Sequence, residues 1–230
     1  MALHVLTCNP QGFFILNLVS ALFRAPYSDA RMETPAPVLI MRQEDIPADI
    51  LSEFTEALAR FEIPFQHETT ERRAFAAIEY LVPTALVLFF AKPFFEGFLK
   101  KAGEDAYAST KSAIASMAAK AASLRIRVLT SAPHKVPLES PYSRVISFYS
   151  NTKSGERVKF LMPSDVSLEV YERIVHSMLT LMREHFEGDS DDSLSTMLGS
   201  NPSRPLRLLH FDFASESWQV MALPYGKQRQ

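Results

Sequence analysis

The sequence predicts an α+β fold in which a helical middle layer packs on a mainly antiparallel sheet. Apolar residues recur at helical spacing through the middle third, and short β-rich runs separated by turn residues fill the last third. A strand, helix and strand pattern near the start adds a small N-terminal βαβ unit. Hydrophobic residues are 47% of the 230 and charged residues 22%, which is typical of a globular domain with a sizeable core.

The chain divides into three predicted parts, which are an N-terminal extension at 1–31, a single α+β domain at 32–226 and a tail at 227–230. Within the domain, a helical region spans 71–124 and a strand-rich region spans 125–223. We expect the extension to be poorly structured or a misassigned translation start, because the regular pattern begins only at Met32. An apolar stretch lies within it, but no Lys or Arg precedes that stretch as in a signal peptide.

The βαβ unit begins with an apolar strand at Val38–Met41. A helix follows, in which Ile50, Phe54 and Leu58 recur on one face. Residues 63–68 form the second strand. The turn after the first strand is acidic and has no glycine, so it is not a phosphate-binding loop.

The segment at 80–99 is the unusual feature of the middle third. Residues 80–91 carry no charge, and Pro83 and Pro93 interrupt the segment. We expect a helix that is apolar all round and broken at both prolines, and such a helix is either core or a contact surface. The nine residues between the prolines span about 13 Å as a helix, too short to cross a bilayer. The predicted membrane or partner contacts are Leu86, Leu88, Phe89, Phe90, Lys92, Phe94, Phe95 and Phe98.

The elements after this segment follow from periodicity and turn residues. A narrow stripe of small residues predicts a closely packed helix at 98–124. Strands are predicted at 124–130, 143–150 and 157–163, with Gly155 in the left-handed position of a hairpin loop. An amphipathic helix starts after Ser164 as N-cap, and a mobile acidic loop follows it. A hairpin at 206–213 and 218–223 completes the domain.

Few residues point to catalysis. The seven glycines form no nucleotide-binding or nucleophile-elbow motif, and the six histidines have no metal-ligand spacing. His185 is expected at the rim of the core. The acidic run at 189–192 is expected to be a solvated loop rather than a cation site. His210 and Asp212 share a strand face, and we expect them to be surface groups because no nucleophile accompanies them.

These observations favour a non-catalytic, cytoplasmic protein that acts through contact with a protein partner or a second copy, and that needs no cofactor or metal. A net charge of −2 makes nucleic-acid binding unlikely. The first alternative is a protein peripheral to a membrane, which inserts residues 78–99 as a kinked or re-entrant segment with Lys92, Lys100 and Lys101 reaching toward the head groups. Glu79 and Lys92 flank the apolar run within this segment. The second is a metal-dependent hydrolase or nuclease with a dispersed site, drawn from Glu68, Asp105, His134, His210 and Asp212.

Overall fold

The computed structural model describes residues 36–71, 84–98, 103–124, 140–188, 192–199 and 206–221, all of which belong to one compact unit, Pro35–Gln230. The predictions for the extension at 1–31 and for the tail at 227–230 lie outside the described residues. The strand predicted at 124–130 also lies outside them, except for Leu124.

Seven strands form one mixed sheet in the order β2-β1-β3-β4-β5-β6-β7. The strands are β1 Val38–Gln43, β2 Phe65–Thr70, β3 Leu86–Phe90, β4 Tyr142–Asn151, β5 Arg157–Pro163, β6 Leu206–Asp212 and β7 Ser217–Val220. The pairs β1 with β2, β3 with β4 and β5 with β6 are parallel, and the other three pairs are antiparallel.

The prediction of a mainly antiparallel sheet is therefore wrong, whereas the α+β class is confirmed. The physical reason is that a parallel pair needs a crossover connection, and a helix lies between the two strands of each parallel pair. These helices are α1 Ser52–Arg60, preceded by a 3-10 turn at Ala48–Leu51, α2 Gly103–Ser123 and α3 Leu168–Glu187. A short fourth helix, α4 Ser193–Leu198, follows α3.

The segment at 86–90 is a strand, which corrects the helix predicted there. β3 pairs with β1 on one side and with β4 on the other. Its residues are buried on both faces of the sheet, so its sequence has no alternation of apolar and polar residues to reveal a strand. Pro93 does not kink a long helix. It lies just before a π-helical turn at Phe94–Phe98.

Both faces of the central strands are buried. Side chains alternate along a strand, so Ile40, Leu88 and Phe148, paired across β1, β3 and β4, share the face that packs in the main hydrophobic core. The opposite face includes Val87 and Tyr149, which are also buried.

Several local predictions are confirmed, including α1, the β4–β5 hairpin with Gly155 at φ +83°, and the β6–β7 hairpin. The N-cap of α3 is Ser167 rather than Ser164, because the Ser167 hydroxyl accepts the Val170 N–H at 3.4 Å. The predicted acidic loop contains α4, whose N-cap is Asp192.

Candidate functional site

Most of the predicted contact residues lie in the core. Leu86, Leu88, Phe90, Phe94 and Phe95 are each no more than 2% exposed. The predicted contact role of these residues is untested, but as folded they contact other side chains of this chain.

The remaining three residues of that set differ from one another. Phe89 is half-buried on the opposite face of β3. Lys92 is exposed and pairs with Glu96 at 3.2 Å, four residues along the chain. The side chain of Phe98 lies outside the described residues.

Phe90 is the centre of an aromatic cluster that joins β3 to its surroundings. Its ring centroid lies 4.8 Å from that of Phe94, 5.9 Å from that of Phe148 and 6.4 Å from that of Phe54. Phe95 stacks on Phe186 of α3 at 5.3 Å. Aromatic pairs at these distances stabilise a core beyond simple burial of area, so this cluster has a structural role.

A second cluster, His185, Asp192 and Ser195, contains the residue types of a hydrolytic triad. His185 lies in the last turn of α3 and is 2% exposed, and its Nδ1 lies 2.9 Å from Oδ1 of Asp192. The Ser195 hydroxyl donates to Oδ2 of Asp192 at 2.7 Å and lies 3.4 Å from Nδ1 of His185. The sequence predicts His185 at the rim of the core, and no local pattern connects it to the acidic segment.

The hydrogen bonds of this cluster are incompatible with nucleophilic catalysis. Nε2 of His185 accepts the backbone N–H of Lys153 at 2.9 Å, so this nitrogen carries no proton. Nδ1 therefore holds the ring proton and donates it to Asp192, an assignment made from the network. The ring nitrogen nearest to the Ser195 hydroxyl is protonated, so it is not available as a general base.

The same contacts give the cluster a structural role. Burial raises the pKa of Asp192, but hydrogen bonds from the Ser195 N–H, the Ser195 hydroxyl and His185 outweigh burial and lower it overall. Lys153 in the β4–β5 loop also donates through Nζ to the carbonyl of Gly188. The imidazole therefore joins three segments, the β4–β5 loop, the end of α3 and the start of α4.

The other predicted chemical groups have local partners. Asp212 caps the β6–β7 turn by accepting the N–H of Ser215 at 3.1 Å and the Ser215 hydroxyl at 2.6 Å. The ring of His210 packs against Tyr142, with 6.2 Å between the two ring centroids. Of the acidic run at 189–192, only Asp192 is described, and it caps α4.

The dispersed hydrolase site does not assemble from the residues that can be located. Glu68 on β2 and Asp212 on β6 are separated by five strand spacings, or about 24 Å. His134 lies outside the described residues. Within the described ranges, no group of three or more His, Cys, Asp or Glu could hold a metal ion.

Two polar surface features lie on the helical layer. A shallow groove of about 330 Å³ between α1 and α2 is lined by Glu53, Glu56 and Arg60, and Glu53 is held by Lys120 at 2.6 Å. Between α2 and α3, the Tyr107 hydroxyl lies 3.4 Å from Nδ1 of His176. The polar contacts in both features join neighbouring helices of this chain.

β2 is one of the two edge strands of the sheet in the described part of the chain. Four consecutive side chains, from Gln66 to Thr69, are exposed, and β1 is the one described neighbour of β2. The Glu44 N–H donates to the Thr70 carbonyl at 3.0 Å, so Thr70 points its backbone groups toward β1. Backbone direction alternates along a strand, so Phe65, His67 and Thr69 point theirs outward.

Comparisons of the chain with protein-family models, with curated proteins and with solved structures gave no match. None of the helices in the described residues has the length and apolar character needed to cross a membrane.

Proposed function

We propose that this is a non-catalytic, cytoplasmic protein that acts through protein–protein contact, and that its contact surface is the outer edge of β2. The observation that carries the proposal is the exposure of Gln66, His67, Glu68 and Thr69 on a strand with one described neighbour. An extended segment of a partner can add to such an edge through main-chain hydrogen bonds.

The sequence of β2 supports this role. Natural proteins often place charged residues, especially Lys, or Pro or a bulge on an edge strand to prevent pairing. Within Phe65–Thr70, β2 has neither Lys nor Pro, and Glu68 is its one carboxylate. The opposite edge strand, β7, has four residues against six in β2. The longer strand offers a partner more hydrogen bonds in succession.

The core position of β3 supports a contact surface elsewhere than residues 80–99. Five of the apolar side chains first proposed as contacts are used inside the chain. The membrane and hydrolase alternatives stay predictions, and none of the described geometry favours either of them.

A photo-crosslinking residue at position 66 tests the proposal in cells that express the chain naturally. We expect a discrete crosslinked product from position 66 and none from position 169, which is exposed on α3 away from the edge. The substitution His67→Pro removes an outward N–H without removing a bond to β1, so it should abolish the product.

In the isolated complex, the amides of Phe65, His67 and Thr69 should exchange hydrogen more slowly than in the free chain. The amides of Gln66, Glu68 and Thr70 already face β1 and serve as internal controls. A crosslink that survives His67→Pro, or equal yields from positions 66 and 169, would contradict a β2 contact.

A further inference from the structure

We infer that the strand that adds to β2 is β2 of a second copy, in antiparallel orientation, with the two-fold axis passing through His67. This inference rests on the proposed function, because it names the partner of the same edge. Two observations support this inference. The first is which backbone groups of β2 point outward, and the second is which side chains then face each other across the interface.

In this register, the outward N–H and C=O groups of one copy face those of the other. The axis pairs His67 with His67 of the second copy, and Phe65 with Thr69 of the second copy. These are the residues whose N–H and C=O groups point outward. In an antiparallel ladder, each such pair exchanges two hydrogen bonds, so three residue pairs form a continuous ladder.

The side chains between these pairs are also complementary. Gln66 of one copy lies opposite Glu68 of the other, and this contact occurs twice because of the symmetry. Both side chains project from the sheet face opposite to that of His67. The Gln66 amide can donate to the Glu68 carboxylate, and a favourable cross-strand pair of this kind stabilises a sheet.

Neighbouring registers are less favourable. An axis through Glu68 places two carboxylates directly opposite each other, which is destabilising. An axis through Gln66 pairs only Phe65 with His67 among the outward-facing residues of β2, which shortens the ladder from three hydrogen-bonded pairs to two. The His67 register therefore combines the largest number of hydrogen-bonded pairs with no directly opposed pair of permanent charges.

The chemistry of β2 favours a second copy over an apolar peptide. The exposed side chains are an amide, an imidazole, a carboxylate and a hydroxyl, and they offer no apolar pocket for a partner's side chains. A contact through one short edge buries little area, so we expect weak association, with a Kd on the order of 10–100 µM.

Sedimentation velocity of the full chain at neutral pH, from about 5 to 500 µM, tests the inference. We expect a reversible monomer–dimer equilibrium. The variant Gln66→Glu places two carboxylate pairs across the interface and should weaken dimerisation at least about fivefold. The double variant Gln66→Glu with Glu68→Gln restores two amide–carboxylate pairs and should return the Kd to within about twofold of the wild type.

The double variant has the composition and net charge of the wild type, so it controls for changes in overall charge. A dimer that is insensitive to Gln66→Glu, or that the double variant does not rescue, overturns the proposed register. A chain that stays monomeric at all concentrations overturns self-association. In that case, a crosslink from position 66 to a different protein keeps the proposed function, and no crosslink contradicts both.

Discussion

β2 and β3 flank the same strand, β1, and have opposite environments. Val38 of β1 lies in register with Phe65 of β2 on one side and with Phe90 of β3 on the other. Four of the five residues of β3 are buried, whereas four of the six residues of β2 are exposed. One strand completes the core, and the other ends the described sheet.

The difference shows how composition sets the position of a strand. A strand at the sheet centre must be apolar on both faces, so it is a continuous run such as residues 86–90. An edge strand keeps contact with water and tolerates a polar sequence such as residues 66–69. An apolar segment is therefore the less accessible contact surface here, and the polar edge is the more accessible one.

An aspartate introduced into each of the two strands should produce the largest difference in the free energy of unfolding. Leu88 is fully buried between Ile40 and Phe148, so Leu88→Asp places an unpaired charge in the core. We expect the free energy of unfolding to fall by more than about 4 kcal/mol, which leaves an unfolded or molten chain. Gln66→Asp on β2 should cost less than about 1 kcal/mol. Urea unfolding of both variants at low concentration measures this difference, and equal losses would contradict the assigned positions of the strands.

A truncation of the two phenylalanines that flank Val38 makes the comparison quantitative. Phe90→Ala removes the centre of the aromatic cluster and should cost about 3–5 kcal/mol. Phe65 is half-buried, so Phe65→Ala should cost about 1–2 kcal/mol. Chemical denaturation gives both values. A cost for Phe65→Ala as large as that for Phe90→Ala would show that the β2 edge is part of the core.

The outcome for β3 shows what can be predicted from this sequence. α1, β1, β2 and the β4–β5 hairpin follow from periodicity and turn residues, and they were predicted close to their observed bounds. The run at 86–90 was misassigned, because a short apolar run has the same pattern in a buried strand and in a buried helix. The parallel pairings depend on where helices cross the sheet, and no local pattern carries that information.

The cluster around His185 was missed for a related reason. Its members come from α3, α4 and the β4–β5 loop, so their contact depends on tertiary structure. One local signal is present, since aspartate is a favoured N-cap residue and Asp192 directly precedes α4. The acidic residues before Asp192 favour a solvated loop instead.

Two aspartates extend the contrast between buried and exposed positions to polar groups. Asp192 and Asp212 each accept the N–H and the hydroxyl of the serine three residues later, but the Asp192 side chain is 5% exposed and also binds His185. Asp192→Ala should cost about 1–3 kcal/mol, because it removes a cap and leaves a buried imidazole N–H unpaired. Asp212→Ala, in the solvent-facing turn, should cost less.

The effect of Asp192 should also depend on pH in a defined direction. Its pKa is lowered in the folded chain, so its contribution is complete above the unfolded pKa of about 4 and is lost as the pH falls below that value. The stability difference between the wild type and Asp192→Ala, measured by denaturation at pH 7 and pH 3, should therefore shrink at pH 3. A difference that is equal at both pH values would contradict the ionised cap.

The smallest expected effect is the pH dependence of the proposed β2 dimer. Burial lowers the pKa of His67, and the guanidinium of Arg42 on β1 lowers it further. His67 is therefore uncharged at pH 7, and its counterpart across the axis is uncharged too. As the pH falls through this lowered pKa, two imidazolium groups face each other beside Arg42, while Glu68 projects from the opposite face. Opposed like charges cost about 0.2–1 kcal/mol, so dimerisation should weaken up to about fivefold as the pH falls through this lowered pKa.

Sedimentation velocity at pH 7, 6 and 5 measures this change, with circular dichroism to show that the fold persists. His67→Asn keeps a polar side chain that does not titrate, so its dimer should keep the same Kd across this range. The other described histidines remain in that variant, and any effect of theirs would persist in it. If His67→Asn keeps the pH dependence of the wild type, the titrating group lies elsewhere and His67 is removed from the axis. If the variant loses the pH dependence, the axis lies at His67.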